Sequence, residues 1–434
     1  MQKTLKRLID TKKARICVVG LGYVGLPIAV EAAKIGFTTY GLDSSASRIA
    51  RLEKGVSYIT DVPSDALRKL LGKRFHPTID GSIIANSDVI VICVPTPLKR
   101  KKIPDVSYIV KAVKAIAKHL RKDQLIILES TTYPGTTDEI ARPILEKAGM
   151  LEGKDFFLAF SPERIDPSNK RYRFSNIPKV VGGVSKQAQE LACSFYSKIV
   201  KKVIPVSSAR AAESVKLLEN TFRIVNIGLA NEFAMLCDKL DLDVWEIIEA
   251  AKTKPFGFMP FYPGPGIGGH CIPADPVYLS WKAKKAGFKA KMIDLAAKTN
   301  NFMPYYIVHR IEALLEKAGK SASNAKVLIL GVTYKKDVKD LRESPALEVL
   351  EILKKKGFNV SYADPHIPYL DINSIDLKAV KLTLASIRRY DLIVLTTAHS
   401  GFDYKKIFKS AKVILDTRNA FASAGIKADN IIKL

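Results

Sequence analysis

The 434-residue sequence contains few cysteines, and the five present are far apart: Cys17, Cys93, Cys193, Cys237 and Cys271. Their number is odd and no Cys-x-x-Cys pair occurs, which argues against a disulfide framework and against a zinc site, so no metal is expected. The same scattered, odd-numbered cysteines indicate that the protein resides in a reducing compartment. All but Cys271 stand in apolar or helical surroundings and are predicted to be small core residues.

Long apolar runs are also missing. No stretch of about 18 apolar residues occurs, so we expect no transmembrane helix and no membrane insertion. The first 15 residues are polar and basic and lack the apolar core of a signal peptide. Together these absences predict a cytoplasmic protein.

Negative charge is scarce relative to positive charge. Lysine and arginine number 69 against 43 aspartate and glutamate residues, giving a formal net charge of +26. Such an excess fits a nucleic-acid partner, a membrane surface or the attraction of anionic small molecules. The basic residues are spread along the whole chain, with only short runs such as residues 99–102, and no aromatic-interleaved basic motif accompanies them. We therefore expect no nucleic-acid partner and interpret the charge as attracting nucleotides.

A strand, a glycine-rich turn and a helix are predicted near the N-terminus. The strand pattern Arg15–Val19 runs directly into Gly20-Leu-Gly-Tyr-Val-Gly25, whose glycines allow a pyrophosphate to approach a helix N-terminus. Asp43 ends the next strand, where a carboxylate accepts hydrogen bonds from ribose hydroxyls and repels a 2′-phosphate. This combination predicts an NAD site. The cofactor-binding residues predicted here are Gly20, Gly22, Tyr23, Val24, Gly25, Asp43 and Arg48.

Further strand patterns end at polar residues. Residues 87–94, 124–128 and 156–160 read as strands, and each is followed by a turn rich in polar residues or proline. Ligands lie beyond the carboxyl ends of the strands in an open parallel sheet. We therefore expect Pro95, Thr96 and Thr131 to contact cofactor or substrate, and Glu163 to orient or activate water. Ordinary turn residues are the alternative at each position.

A long helical pattern follows. It runs from Ala209 to about Lys252 without proline, and a second helix is predicted from about Pro304 to Lys317. Lys216 and Asn220 are four residues apart and project from one face. Together they can hold an oxyanion or an alcohol oxygen, with a solvated helix face as the alternative. So long a helix between two α/β units predicts a spine and a dimer interface.

A second α/β unit begins at the strand pattern Lys326–Leu330. Its turn, Gly331–Lys336, lacks the second and third fingerprint glycines, so it should not cradle a pyrophosphate as an NAD site does. Lys335 and Lys336 indicate side-chain recognition of a different phosphate ligand. The predicted fold class is α/β, with two Rossmann-like doubly wound domains joined by a long central helix and a helical dimerisation region.

The loop Pro263–Leu279 contains four glycines, four prolines and a single cysteine, Cys271. Such a loop presents the thiol on a shaped turn. A thiol held on backbone amides, next to His270 and four residues from Asp275, suits nucleophilic catalysis. The alternative is a structural loop with an incidental cysteine.

With these residues in hand, the sequence resembles the UDP-sugar 6-dehydrogenases, or nucleotide-sugar dehydrogenases, over essentially the whole chain after about residue 14. Two runs, Ser161–Pro167 and Pro255–Gly266, look most like the UDP-N-acetylglucosamine 6-dehydrogenase branch. The matching motifs are Gly20–Gly25, Val94–Pro97, Glu129–Thr131, Ser161–Glu163, Glu213–Phe222, Gly266–Pro273 with Asp275, Tyr334-Lys335, Arg342–Pro345 and Asp416–Arg418.

The resemblance implies oxidation of the C6 hydroxyl of a UDP-sugar to a carboxylate, with two NAD⁺ and one water. Cys271 would add to the intermediate aldehyde as a thiohemiacetal, which a second oxidation turns into a thioester that water hydrolyses. Lys216 and Asn220 would stabilise the C6 oxygen. Asp275, with Thr131, would position or deprotonate the water, and Glu163 would serve thioester hydrolysis.

The resemblance also implies binding roles, a homodimer or higher oligomer, and three domains. These are residues 1–205 for NAD, 206–303 for dimerisation and the cysteine loop, and 304–434 for the UDP-sugar. Arg342 would contact the cofactor. The substrate-binding residues would be Glu163, Arg164, Lys216, Asn220, Gly268, Lys335 and Arg418.

One departure from the family concerns an inter-subunit arginine that many members place shortly before the Pro-Gly-Pro-Gly loop. Here no arginine occurs between Arg223 and Arg310. Lys252 or Lys254 can stand in its place, but a lysine cannot reproduce bidentate recognition. UDP-N-acetylmannosamine and UDP-glucose stay open as substrates. A two-electron hydroxyacid dehydrogenase and a non-catalytic NAD-sensing module are the remoter alternatives.

Overall fold

The computed structural model describes residues 2–59, 61–99, 103–165, 171–269, 272–372 and 375–434. The chain divides into two units. The first combines Met1–Glu219 with Val277–Phe288, and the second combines Asn220–Pro276 with Lys289–Leu434. Within the described ranges, no helix has both the length and the apolar character needed to span a bilayer.

Helices and strands alternate through most of the chain. The α-helices are α1 Gln2–Asp10, α2 Gly25–Lys34, α3 Ala46–Glu53, α4 Ser64–Leu70, α5 Ser107–Ala117, α6 Arg142–Glu146, α7 Lys186–Ile199, α8 Ala209–Lys239, α9 Val244–Ala251, α10 Asp275–Lys285, α11 Lys291–Lys317, α12 Pro345–Lys355, α13 Leu384–Arg388, α14 Tyr404–Ser410 and α15 Ala420–Ser423. The strands are β1 Arg15–Val19, β2 Thr38–Leu42, β3 Phe75–Thr78, β4 Val89–Ile92, β5 Leu98–Lys99, β6 Ile103–Pro104, β7 Gln124–Leu128, β8 Phe156–Phe160, β9 Lys179–Gly183, β10 Val203–Pro205, β11 Lys326–Leu330, β12 Asn359–Ala363, β13 Tyr369–Ile372, β14 Ile375–Lys378, β15 Leu392–Leu395, β16 Ile414–Asp416 and β17 Ile431–Lys433.

The first unit is built on an eight-stranded sheet in the order β10-β9-β8-β7-β4-β1-β2-β3. Neighbouring strands are parallel except for β8 and β9. Successive residues of each central strand enter different cores: Val18 packs on one face of the sheet, while Cys17 packs on the other. Because helices cover both faces, these strands read as continuous apolar runs in the sequence.

The order in which successive strands are added to the sheet reverses between the parallel neighbours β1 and β4. The connection after β1 leads to β2 on one side, whereas β4 continues to β7 on the other. In open α/β sheets, such a switch point opens a crevice beyond the carboxyl ends of the two strands. The residues that follow Val19 and Ile92 therefore border the natural ligand crevice of the first unit.

The second unit contains a five-stranded parallel sheet in the order β12-β11-β15-β16-β17. Alternate residues of β11 again enter two cores, Val327 and Ile329 on one face and Leu328 and Leu330 on the other. Its switch point falls between β11 and β15. The observed fold class is thus the one predicted, with two Rossmann-like sheets and a long central helix.

The predicted helix from Ala209 to Lys252 is wrong in its length, because two helices occupy this stretch. The chain leaves α8 through Asp241, whose φ of 55° lies in the left-handed region. Asp243 then starts α9, since its carboxylate accepts the amide hydrogens of Trp245 and Glu246. Aspartate favours both a left-handed turn and an N-cap, and the apolar periodicity concealed this stop.

The second predicted helix is wrong in its start. The predicted start was about Pro304. The structure instead begins α11 at Lys291, with Pro304 inside the helix. Asn300 lies upstream of the proline and is held by tertiary bonds, its Nδ2 donating to the Ile224 carbonyl at 3.0 Å and its Oδ1 accepting from Asn231 at 2.8 Å. These tertiary bonds hold the residues before Pro304 in a helix, although the residue that precedes a proline locally disfavours the helical conformation.

Glu213 fixes the start of α8 to the loop that follows β7. Its fully buried carboxylate accepts hydrogen bonds from the Gly135 amide at 2.6 Å, the Thr137 amide at 2.9 Å and the Thr137 hydroxyl at 2.7 Å. Burial raises the pKa of Glu213 from 4.5 to about 7, against the opposing effect of these donors and with a further rise from Asp138. The Glu213 carboxyl group is therefore mostly protonated and uncharged below about pH 7 and mostly ionised above it.

This raised pKa predicts a pH-dependent stability. Between pH 4.5 and about 7, the folded chain keeps a proton on Glu213 that the unfolded chain has lost, so stability falls as the pH rises through this window. The shift corresponds to about 3 kcal/mol of unfolding free energy. Urea unfolding of Glu213→Gln across this range should show a shallower decline than the unmutated chain. Glu316→Gln, an exposed glutamate on α11, is the matched control and should reproduce the unmutated slope.

Candidate active site

The glycines of the first switch point have separate steric roles. Gly20 has a φ of +92°, and a Cβ there would lie 2.5 Å from the Cys93 carbonyl oxygen. A Cβ at Gly25 would lie 1.8 Å from the Gly20 oxygen. At Gly22, by contrast, a Cβ would meet no protein atom within 4 Å. Packing therefore requires the outer two glycines, whereas the middle one leaves the backbone open to a pyrophosphate.

Asp43 stands beside this loop at the end of β2. Its buried carboxylate accepts the Leu21 amide at 2.8 Å and the Ser45 amide at 2.9 Å, and Arg48 reaches it at 3.4 Å. An ionised carboxylate has about four acceptor positions, so capacity is left for a ribose hydroxyl. Tyr23 and Pro95 border the same crevice, and their side chains are exposed, while that of Val24 is half-buried. These residues fit an NAD molecule.

Tyr278 is a residue of this unit that the sequence reasoning missed. It lies buried on α10, and its hydroxyl donates to the Thr96 carbonyl at 2.8 Å and the Pro97 carbonyl at 3.1 Å. The bonds fix the loop after β4, which carries the half-buried Thr96. A single tyrosine in a helical pattern gives no signal of such a distant partner.

The loops after β7 and β8 bring together acidic and basic side chains. Glu163 is only 7% exposed, its Oε1 accepts the Ile165 amide, and its Oε2 has no hydrogen-bond partner within the described part of the chain. Nη2 of Arg164 donates a hydrogen bond to the Glu219 carboxylate at 2.6 Å, and Nη1 donates to the Pro178 carbonyl at 2.7 Å. Thr131 is half-buried in the neighbouring loop.

Lys216 lies on α8 and is only 8% exposed. Across the described ranges, its ammonium group has no hydrogen-bond or ion-pair partner, although burial of an unpaired charge is costly. A lysine held in this way is typical of a site that binds an anion or a developing negative charge.

Asn220 and Asp275 form a buried pair in the second unit. The Asn220 Nδ2 donates to the Asp275 carboxylate at 2.5 Å, which ties α8 to the first residue of α10. Asn220 is one helical turn beyond Lys216 on the same face of α8. The predicted alcohol-binding pair therefore shares one helix face, and one member is bonded to the predicted water-positioning aspartate.

His270 and Cys271 lie outside the described residues. The loop that leads to them is described and is packed tightly. A Cβ at Gly268 would lie 2.6 Å from Cβ of Tyr334 and 2.7 Å from the Glu343 oxygen. The Gly269 amide donates to the Arg342 carbonyl at 3.1 Å. The glycines thus allow the cysteine loop to lie against the Tyr334 and Arg342 motifs.

Arg418 follows β16, the strand that pairs with β15 in the second sheet. Its Nε donates to the Thr396 carbonyl at 2.9 Å, and a Cβ at Gly264 would lie 2.4 Å from its guanidinium. Burial lowers the pKa of Arg418 to about 10, with Asp416 opposing the change. Lys335 is half-buried in the loop after β11, and Arg342 binds Asp340 through two nitrogens.

The two sheets use a carboxylate at the same place in different ways. Asp364 follows β12 and accepts the Val332 amide at 2.7 Å, as Asp43 accepts the Leu21 amide. Asp364 also accepts two further backbone amides and the His399 ring at 3.1 Å. Protein donors therefore fill this carboxylate, so Asp364 has no acceptor position left for the ribose of a dinucleotide.

His399 belongs to a group of potential metal ligands in the described residues. Asp337, His366 and His399 offer ligand atoms within 4.8 Å of one another. However, Nδ1 of His399 accepts the Asp337 amide at 3.0 Å, while Nε2 faces Asp364 and Thr333. Both ring nitrogens are used by the protein, so the group is explained as a hydrogen-bond network.

Comparisons with known proteins agree with this architecture. Families described as "UDP-glucose/GDP-mannose dehydrogenase family" match as the NAD binding domain over residues 14–200, the central domain over residues 210–302 and the UDP binding domain over residues 328–423. A UDP-N-acetyl-D-glucosamine 6-dehydrogenase of Pseudomonas aeruginosa is 36% identical over 415 residues, covering 94% of this chain and 97% of the relative.

Another group of relatives carries a different substrate name. A UDP-N-acetyl-D-mannosamine dehydrogenase of Pyrococcus horikoshii is 38% identical over 413 residues, covering 93% of this chain and 95% of the relative. A solved structure of the UDP-D-ManNAc dehydrogenase from the same organism has a TM-score of 0.86 at 34% identity, covering 96% of this chain and 98% of that one.

The fold and the residues at its strand ends define an NAD-dependent oxidoreductase with a second nucleotide-binding domain. The chain belongs to the UDP-glucose/GDP-mannose dehydrogenase family and is a nucleotide-sugar 6-dehydrogenase. The predicted family, fold class, enzyme class and NAD cofactor are confirmed. The UDP binding domain supports a UDP-sugar substrate.

The glycine geometry separates two alanine variants. Gly25→Ala places a methyl group against the Gly20 oxygen and should destabilise the first unit. Gly22→Ala has room for its methyl group, so its thermal unfolding should match the unmutated chain while its KM for NAD rises roughly tenfold or more because the pyrophosphate approach is blocked. An unchanged KM in a folded Gly22→Ala would remove the turn from the cofactor site.

Proposed function

We propose that the chain oxidises the C6 hydroxyl of UDP-N-acetylglucosamine to the uronate in two NAD-dependent steps, with Cys271 carrying the intermediate. The observation that carries the proposal is the buried Lys216, which has no polar partner among the residues that the structure describes. It shares one helix face with Asn220, whose amide is bonded to Asp275. The Pseudomonas aeruginosa relative and the runs Ser161–Pro167 and Pro255–Gly266 support N-acetylglucosamine.

A second substrate also has support. UDP-N-acetylmannosamine is favoured by the Pyrococcus horikoshii relative, which is 38% identical to this chain. The two sugars differ only in the configuration at C2, and UDP-glucose has a hydroxyl there. The reacting C6 group is the same in all three sugars, so the catalytic residues proposed below apply to each of them.

Bound NAD supplies the hydride acceptor for both oxidations. Lys216 stabilises negative charge as it develops on the C6 oxygen, and Asn220 donates a hydrogen bond to that oxygen. The Cys271 thiolate adds to the C6 aldehyde, which keeps the intermediate bound between the two oxidations. The second oxidation converts the thiohemiacetal into a thioester of Cys271.

Water then completes the reaction. It adds to the thioester carbonyl, the carbon–sulfur bond breaks, the thiolate leaves and the carboxylate forms. Asp275 and Thr131 position the water. Glu163 accepts its proton, which suits a buried carboxylate with one oxygen that has no partner in the described part of the chain.

Ligand contacts complete the proposed site. Arg418 and Lys335 bind the UDP-sugar through the second sheet, assisted by Arg164 and Gly268, and Arg342 contacts the cofactor. We keep the three-domain division at residues 1–205, 206–303 and 304–434 as part of this proposal. A reducing, cytoplasmic location is supported by five scattered cysteines without a Cys-x-x-Cys pair.

A homodimer formed through α8 is the proposed assembly. Large apolar side chains form an exposed stripe along this helix at spacings of three, four and seven residues. The members of the stripe on α8 are Leu218, Phe222, Leu229, Phe233 and Leu236, and Leu240 continues it one residue beyond the end of the helix. Such a continuous apolar stripe on one helix suits packing against a second copy of the same helix.

The apolar stripe predicts a change in association state. Leu229→Asp combined with Leu236→Asp should convert a dimer into monomers, because paired carboxylates would face an apolar partner helix. Sedimentation velocity measures the change. Leu384→Asp, an exposed leucine on α13, is the matched control and should leave the dimer intact. An unmutated chain that sediments as a monomer would contradict the proposed assembly.

The four-electron reaction predicts the yield of NADH at limiting substrate. Two NADH per sugar are expected with UDP-N-acetylglucosamine, while UDP-N-acetylmannosamine and UDP-glucose should be turned over poorly. Absorbance with excess NAD⁺ measures the yield. Two NADH with another sugar would correct the substrate, and one NADH would mean a two-electron dehydrogenase.

The variant Cys271→Ser tests in the same assay whether Cys271 carries the intermediate. The serine hydroxyl is a weaker nucleophile toward the aldehyde, so uronate formation should fall by orders of magnitude. Cys193→Ser, at a half-buried position on α7, is the matched control and should keep the unmutated yield. Full uronate formation by Cys271→Ser would exclude covalent catalysis by this residue.

A further inference from the structure

The first unit contains a buried ion pair that the proposed mechanism does not use. Lys179 and Glu129 are almost completely buried, and the lysine ammonium contacts the Glu129 carboxylate. The ammonium also donates to the Pro162 carbonyl at 3.0 Å. The Tyr196 hydroxyl donates to the other Glu129 oxygen at 2.5 Å, and the rings of Tyr196 and Phe174 lie 5.2 and 5.4 Å from the ammonium.

This network connects loops that follow different strands. Glu129 is the first residue after β7, Pro162 lies in the turn after β8, and Lys179 begins β9. The strands β7, β8 and β9 are neighbours in the sheet. Lys179 therefore cross-links the carboxyl ends of β7 and β8, and each linked loop carries a residue of the proposed hydrolytic step. Thr131 is two residues beyond Glu129, and Glu163 is next to Pro162.

Stability alone does not account for such a pair. Removing two charges from water costs as much as their attraction returns, and apolar replacements of buried pairs are often neutral or stabilising. Burial raises the pKa of Glu129, with Lys179 opposing the rise and Glu163 adding to it. The pair is better explained by the geometry that it fixes.

Glu163 is the group whose position depends most directly on this link. It shares a small cavity of about 10 Å³ with Lys179 and Phe174, close to the volume that one water needs. One oxygen of Glu163 is held by the Ile165 amide, whereas the other has no partner in the described residues. A shift of the Pro162 backbone would move this carboxylate away from any water bound there.

We propose that Lys179, through Glu129 and the Pro162 carbonyl, is a positioning residue for hydrolysis of the Cys271 thioester. This inference rests on the proposed function. Lys179 touches neither sugar nor cofactor in this role and fixes the loops that carry Glu163 and Thr131. Water is consumed only after the second oxidation, so the first oxidation does not depend on Lys179.

The test uses the double variant Lys179→Met with Glu129→Gln, which removes the link without leaving a buried unpaired charge. NADH formation is followed by rapid mixing at saturating NAD⁺ and UDP-sugar. The expected result is a burst of two NADH per active site at the unmutated rate, followed by steady-state turnover slowed roughly tenfold or more, as for a misplaced catalytic group. Acid-quenched protein should carry the sugar thioester.

Two further variants make the result specific. Lys179→Arg keeps the charge and the donors, so it should restore turnover to within about threefold and abolish the burst. Lys356→Met with Glu312→Gln removes an ion pair at 2.8 Å in the second unit and should behave as the unmutated chain. Thermal unfolding verifies that each variant is folded.

Several outcomes overturn the inference. Equal slowing of the burst and the steady state would indicate a general structural role, and unmutated kinetics in the folded double variant would show that the link is dispensable. A persistent burst in Lys179→Arg would show that the positive charge and the hydrogen-bond donors at this position do not control the rate of thioester hydrolysis. A yield other than two NADH per sugar from the unmutated chain would instead contradict the proposed function, which separates the two failures.

Discussion

The cost of burying charge organises the strand ends of the first sheet. Glu213 is held by three donors from the loop after β7, and Glu129 is held by Lys179 and Tyr196. Lys216 is also buried but lacks such a partner in the described residues. Because a buried charge without a partner is expensive, this contrast distinguishes the side chains that hold the loops together from Lys216, which we propose is kept for the substrate.

The two Rossmann-like sheets show how one backbone plan serves two ligands. Each places an aspartate after its second strand and binds it to an amide of the first loop, Asp43 to Leu21 and Asp364 to Val332. The difference lies in His399, which occupies the second carboxylate. The first carboxylate therefore keeps an acceptor position for a ribose hydroxyl, whereas protein donors occupy the second. The family match assigns NAD binding to residues 14–200, which contain most of the first sheet, and UDP binding to residues 328–423, which contain most of the second.

The sequence predicted the strands well because their signals are local. The bounds of β1, β7 and β11 agree with the apolar runs, since strands covered on both faces must be continuously apolar. The predicted helix boundaries failed where a local N-cap interrupted the apolar pattern, at Asp243, and where tertiary bonds decided the outcome, at Pro304. Lys179 and Tyr278 were missed because their partners are 50 and 182 residues away, a distance at which no pattern carries information. Cys271 was predicted from its loop alone and lies outside the described residues.

The central claim is that the sugar stays attached to Cys271 between the two oxidations. Oxygen exchange tests this most directly: the reaction is run in ¹⁸O-labelled water, and the uronate product is analysed by mass spectrometry. Covalent capture retains the original C6 oxygen, so the account predicts one labelled oxygen in each carboxylate. A free aldehyde would exchange its oxygen with the solvent through its hydrate. Product carrying two labelled oxygens would therefore contradict the account.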